Sequence, residues 1–181
     1  MSNTTIVTFT GKQFDFLNPR PEDICIEDIA HALANICRYN GHTRKFYSVA
    51  EHCVRASYVP VGDPLDNLLH DAAEAYIGDV PTPQKRNMGW WDGIRFWSYQ
   101  HIEVSIVVTI YNGLGLDCAT PRNTRQADKT MLATEIRDIM PPSEAFEVWT
   151  GEIEPLPETI RPWPPEFAEN EFLLRYRGLT R

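Results

Sequence analysis

The chain has 181 residues, of which 43% are apolar and 23% charged. That is enough for one domain with a real core, spanning residues 1–181, and too little to expect two. Its net charge of -8 argues against holding a nucleic-acid backbone, so nucleic-acid hydrolysis is disfavoured. Positive charge for any phosphate ligand must then be local, from a few Arg or Lys side chains or a metal ion.

The start, MSNTTIVTFTGK, has no basic segment followed by an apolar one and does not read as a signal peptide. The most apolar stretch, Ile102 to Tyr111, contains Glu103 and is too short for a bilayer. Cys25, Cys37, Cys53 and Cys118 form no C-x-x-C pair, and their apolar helical contexts read as buried, reduced thiols. A cytoplasmic protein with no membrane partner is expected.

In chain order, Thr5–Thr10 and Gln13–Leu17 flank Gly11-Lys12 and predict a small hairpin over about 5–17. From Ile26 to Tyr39 the apolar residues fall at helical spacing, with Gly41 as the stop. Ser48-Val49-Ala50-Glu51 is a capping box opening a helix to about Tyr58. Leu65–Tyr76 predicts a third helix, and Asp79-Val80-Pro81-Thr82-Pro83 a stiff loop. A long helix is expected from about Trp91 to Tyr111, and another from Thr120-Pro121 to about Met140. The proline-heavy stretch from Glu152 to Pro165 leads to a last helix, Glu166–Tyr176. The fold class expected is all-α, a helical bundle with a short N-terminal β-hairpin.

The chemistry points to His70-Asp71, set between Leu68-Leu69 and Ala72-Ala73. A carboxylate in such an apolar setting needs a partner. A divalent cation satisfies an imidazole and a carboxylate together, with His52 and Asp128 as further ligands from neighbouring helices. Taken alone, the residues favour a helix-interior ion pair with His52 as a capped surface residue.

The surroundings carry more. Tyr47-Ser48-Val49-Ala50-Glu51-His52, then Leu69-His70-Asp71-Ala72-Ala73-Glu74-Ala75-Tyr76-Ile77-Gly78-Asp79-Val80-Pro81-Thr82-Pro83-Gln84-Lys85, and later Gln126-Ala127-Asp128, resemble the HD-domain phosphohydrolases. The match is nearest the bacterial 5′-deoxynucleotidase branch and its phage and prophage relatives, including phage dATP triphosphohydrolases. It covers roughly residues 24 to 135. The resemblance implies an HD-domain helical bundle in which His52, His70, Asp71 and Asp128 bind one divalent metal ion (Mn, Co, Mg or Zn). It implies that Glu74 and Asp79 handle water and protons near the metal, and that relatives are commonly homo-oligomers.

The residues are compatible with those roles. On one continuous helix Glu74 would share a face with His70, four positions earlier. Pro81 and Pro83 fix the backbone beside Asp79; a local cap is its other reading. Lys85 is placed to meet phosphate, or is a first-turn surface lysine. Arg38-Tyr39 stands where the deoxynucleotidase branch has an Arg and a large aromatic that contact phosphate and exclude a 2′-hydroxyl. Tyr39 replaces the tryptophan of familiar members. His42 sits near this region, touching substrate or exposed to water.

His31 and His101 read as structural. Trp90, Trp91, Phe96, Trp97 and Tyr99 form an aromatic cluster expected at a subunit interface, with a cover over the site or a base-stacking face as alternatives. The resemblance implies hydrolysis of a deoxyribonucleotide at the bond between its 5′-oxygen and the α-phosphorus. The products are deoxynucleoside plus phosphate from a dNMP, or triphosphate from a dNTP, with dATP the leading candidate. Arg44, Lys45, Lys85 and Arg86 could serve extra phosphates. The alternative class is a catalytically weak HD domain that binds nucleotide as a sensor or structural subunit. The presence of both Glu74 and Asp79 argues against it.

Overall fold

A computed structural model describes residues 3–117 and 124–181, apart from the side chains of Glu147 and Val148. The molecule is mostly helical, with a two-stranded antiparallel hairpin at its N-terminus made of β1 (Thr5–Val7) and β2 (Gln13–Asp15). Ile6 pairs with Phe14, whose buried ring stacks on Tyr76 at 3.8 Å. The Thr10 amide and hydroxyl donate to Asp28 at 2.7 and 2.9 Å, tying the hairpin to the first helix.

Helix α1 (Ile26–Asn35) ends earlier than its apolar spacing suggested. Ile36 is extended and Cys37 bridges Ser48, so the chain leaves the helix to run beside the start of the next one. A 3-10 turn over Arg38–Gly41 follows, in which Tyr39 and Asn40 adopt the left-handed conformation at φ 57° and 52°. Helix α2 (Val49–Ala56) opens at Ser48, whose hydroxyl accepts from the Glu51 amide at 3.1 Å. Every residue of α2 except Arg55 is buried.

The expected helix over 65–76 is divided. Helix α3 (Pro64–Leu69) is capped by Asp63, and α4 is the single turn Glu74–Ile77. Between them Ala72 donates to Leu69, and Glu74 to Asp71, in tighter three-residue steps. The pair His70-Asp71 therefore sits in a break, and Glu74 is not on one regular helix with His70. Gly78 (φ 79°) ends α4, and α5 is the turn Thr82–Lys85.

The long helix expected from Trp91 starts only at Tyr99. A second hairpin, β3 (Gly89–Trp91) and β4 (Phe96–Ser98), precedes it. The Asp92 carboxylate accepts from the amides of Ile94 and Arg95 and closes the turn. Helix α6 (Tyr99–Gly113) is N-capped by Ser98. Helix α7 spans Thr124–Asp138; its expected opening at Thr120-Pro121, like Cys118, lies outside the described residues. A short helix, α8 (Ala145–Thr150), was not expected from the sequence, and α9 runs over Pro165–Leu179.

The main core joins Ile29 and Leu33 of α1, Val49 and Cys53 of α2, Leu68 and Leu69, Ile102, Ile106 and Ile110 of α6, and Phe172 of α9. A second cluster sets Tyr47 and Ala56 against Ala127 and Met131 of α7, with Ile139 and Ile160. Helix α2 feeds both, the first through Val49, Ala50, Cys53 and Val54 and the second through Ala56. Cys53 is buried, whereas Cys25 and Cys37 are only partly so and lie outside helices; all three are free thiols. Among the described residues no helix is long and apolar enough to cross a membrane.

Candidate metal centre

His52 faces inward from α2 and is fully buried. Its Nδ1 lies 2.6 Å from a carboxylate oxygen of Glu135, so Nδ1–H donates and the Nε2 lone pair points the other way. His70 has the same arrangement: its Nδ1 donates to the Asn67 carbonyl at 2.8 Å. The two Nε2 atoms face each other at 3.2 Å. Asp71 Oδ2 is 3.1 Å from the His70 Nε2 and 3.7 Å from the His52 Nε2. Asp128 Oδ1, from α7, is 3.4 and 4.0 Å from the same two nitrogens.

The two Nε2 atoms and the carboxylate oxygens of Asp71 and Asp128 thus converge on one point. A cation, whether a proton on an imidazole or a metal ion, balances such a set. His52, His70 and Asp71 each offer one ligand atom, all within 4.8 Å of one another, and could hold a metal ion. The outward donation of both Nδ1 groups is the arrangement that orients imidazole ligands toward a metal.

The electrostatics agree. Burial alone would raise the Asp71 carboxyl, but His70, His52 and Arg38 hold it well below its usual range. Burial opposes charge on His70 as well, yet the Asp71 carboxylate beside it makes the imidazole hold a proton well above its usual range.

Glu74 and Asp79 have a different character. Burial pushes Glu74 well above the usual carboxylate range, and the Asp71 and Asp79 charges add to it. One Glu74 oxygen accepts from Lys85 Nζ at 3.0 Å; the other is buried without a hydrogen-bond partner. Asp79 is raised too, by burial first and by Asp71, against the pull of Arg38, Lys85 and His52. Two acids of elevated proton affinity therefore stand beside a cluster that repels further negative charge.

Of the residues expected to meet substrate, Arg38 is buried and committed. Its Nη1 donates to Asp71 at 3.2 Å and its Nε lies 3.4 Å from Glu135. Tyr39 donates its hydroxyl to Glu135. Lys85 donates to Glu74 and, at 2.7 Å, to Glu103. His42 is exposed, with no side-chain partner among the described residues. Arg44 donates to the Met140 carbonyl at the end of α7, and Lys45 and Arg86 are exposed. His31 pairs with Glu169 at 3.0 Å and stacks on Phe9. His101 lies against Trp97. Within the aromatic cluster, Trp90 packs on Phe16 and Tyr99, while Trp91 and Phe96 are exposed.

The residue missed in the sequence is Glu135. It is fully buried and binds His52, Tyr39 and Arg38 together. It follows Asp128 by seven positions, two helical turns, and so shares its face of α7. That spacing was the available signal. Glu103, which joins Lys85, and Asn67, which orients His70, carried none.

No family model matches the chain. The uncharacterized protein YfdR of Escherichia coli (strain K12) is 37% identical over 180 residues, covering 97% of this chain and 95% of its own length. The uncharacterized protein RCAP_rcc00048 of Rhodobacter capsulatus is 32% identical over 190 residues, covering 95% of this chain and 93% of its own.

Proposed function

We propose that this chain, which belongs to one family with the Escherichia coli protein YfdR, is a metal-dependent phosphohydrolase of the HD-domain class. Its expected reaction is hydrolysis of a deoxyribonucleotide at the 5′-oxygen to α-phosphorus bond, with dATP the leading candidate substrate. The observation that carries this reading is the convergence of the His52 and His70 Nε2 atoms on Asp71 and Asp128, each imidazole oriented from behind.

His52, His70, Asp71 and Asp128 would hold one divalent ion. When bound, such an ion supplies Lewis acidity, polarising a phosphoryl oxygen and making water a better acid. The chain's own groups do the rest. Glu74, with one oxygen uncommitted, accepts a proton from the attacking water. Asp79, with its raised proton affinity, delivers a proton to the departing 5′-oxygen. Arg38 neutralises charge on the α-phosphate side, within reach of Asp71. Lys85 keeps Glu74 in place and balances its charge. Tyr39 is fixed through its hydroxyl by Glu135, and its ring would face the sugar.

The test is a panel of dNMPs, dNTPs and matching ribonucleotides offered with Mn²⁺ or Co²⁺. Release of phosphate or triphosphate together with the deoxynucleoside is expected. Tight nucleotide binding without any product would favour the sensor or structural reading instead.

A further inference from the structure

Away from the metal cluster, a cavity of about 430 Å³ opens where three parts of the chain meet: the loop carrying Arg44 and Lys45, the end of α7, and the extended segment before α9. Its apolar wall is Ile139, Ile160 and Pro162, the two isoleucines nearly fully buried. Arg44, Lys45 and Arg161 stand around it. Neither Lys45 nor Arg161 has a side-chain partner among the described residues. Arg44 uses Nε and Nη2 on the Met140 carbonyl, leaving Nη1 uncommitted. The one acid in the wall, Asp138, is already matched by Arg137 at 2.7 and 2.8 Å and by the Ile160 amide at 2.7 Å. In a chain of net charge -8, uncompensated cations gathered over an apolar floor call for an anion.

The cavity is not an extension of the metal cluster. Asp128 and Ile139 are eleven residues apart on α7 and its end, about 16 Å along the axis. The two places are nevertheless joined. The Arg44 amide donates to the Ile139 carbonyl at 2.9 Å, and the Ile139 amide donates to the carbonyl of Glu135, the residue that orients His52. The loop between Arg38 and Ser48 begins at Asp71's partner and passes over this cavity.

We propose that this cavity is a second ligand site, for a small phosphorylated molecule with an apolar face. Lys45, Arg161 and the free edge of Arg44 take the phosphate. Ile139, Ile160 and Pro162 take the apolar part. The volume suits one small ligand rather than a polymer.

The experiment uses metal-free protein in EDTA, so it does not depend on turnover or on the metal centre. Inorganic phosphate and phenyl phosphate are titrated while the isoleucine methyl resonances are followed. Both probes should shift Ile139 and Ile160, with phenyl phosphate binding more tightly. The double variant Lys45→Gln, Arg161→Gln should weaken both by at least about tenfold. Both side chains are exposed, so an unchanged Tm is expected to show that the variant is folded. Equal affinity for the two probes, shifts confined to residues beside His52 and His70, or unchanged binding in the double variant would overturn the proposal.

Discussion

Glu135 shows how a single buried carboxylate can serve the whole site. It accepts from His52, which sets the imidazole lone pair toward Asp71, and from Tyr39, which fixes a left-handed turn that a non-glycine residue rarely adopts. Glu135→Gln retains an acceptor for His52 but loses the charge that Arg38 and the imidazole face. Metal affinity should fall about 10- to 100-fold, the usual cost of a lost outer partner. A purely structural role would lower Tm and leave the affinity of the folded fraction intact. Glu74 makes a second prediction. Its ordinary pKa is 4.5, and burial beside Asp71 raises it in the fold. The folded state therefore holds the proton more tightly than the unfolded one. Its contribution to stability is full below pH 4.5 and is lost as pH rises through the folded value. In metal-free protein, Glu74→Gln should flatten that decline, measured as Tm against pH. With metal present, the same variant should keep its metal and lose about 10²- to 10⁴-fold in rate. At this scale His70-Asp71 was legible because two ionisable residues between leucines and alanines demand an explanation. Glu135 was not, because a lone glutamate in a polar helix looks like surface until its partners are seen.

The elements explain why the site is firm. Helix α2 carries His52 and packs into both apolar clusters, so a weakened start should be felt at the candidate metal centre. Ser48→Ala removes the cap on the Glu51 amide and should cost about 1 kcal/mol, read by denaturant unfolding. Gly113 closes α6 against the 3-10 turn at Pro21–Asp23. An added Cβ there would lie 2.6 Å from the Pro21 carbonyl and 2.7 Å from the Ile24 Cβ. Gly113→Ala should therefore destabilise by about 1–3 kcal/mol through overpacking, although alanine is the better helix former. The Ser48 cap and the N-terminal hairpin were readable because local side-chain chemistry determines them, whereas the other half of the capping box does not form: the Glu51 carboxylate takes Arg55 and the Trp163 amide instead. The break at 70–73 was not, because its residues have helical spacing and only the packing of Leu69, Ala72 and Ala73 tightens the turns. The second hairpin was hidden inside an apparently helical run of aromatics; Asp92-Gly93 was its unheeded turn signal.

At the scale of the molecule, two small groups of cations stand apart. Arg38 and Lys85 are matched at the candidate metal centre, and Arg44, Lys45 and Arg161 stand without an acidic partner among the described residues around the cavity at the end of α7. On the proposed reading, cations grouped this way serve small phosphorylated ligands at defined places. The mostly helical architecture brings residues from α2, the 70–71 break and α7 to one point, which no local pattern could show. The most direct measurement follows metal content and turnover on one sample as Mn²⁺ is added to EDTA-treated protein with a deoxyribonucleotide present. One ion per chain and a hydrolysis rate that rises with occupancy are expected, both lost in Asp71→Ala. Hydrolysis that persists in EDTA, or survives undiminished in Asp71→Ala, would contradict a metal-dependent reaction at this centre.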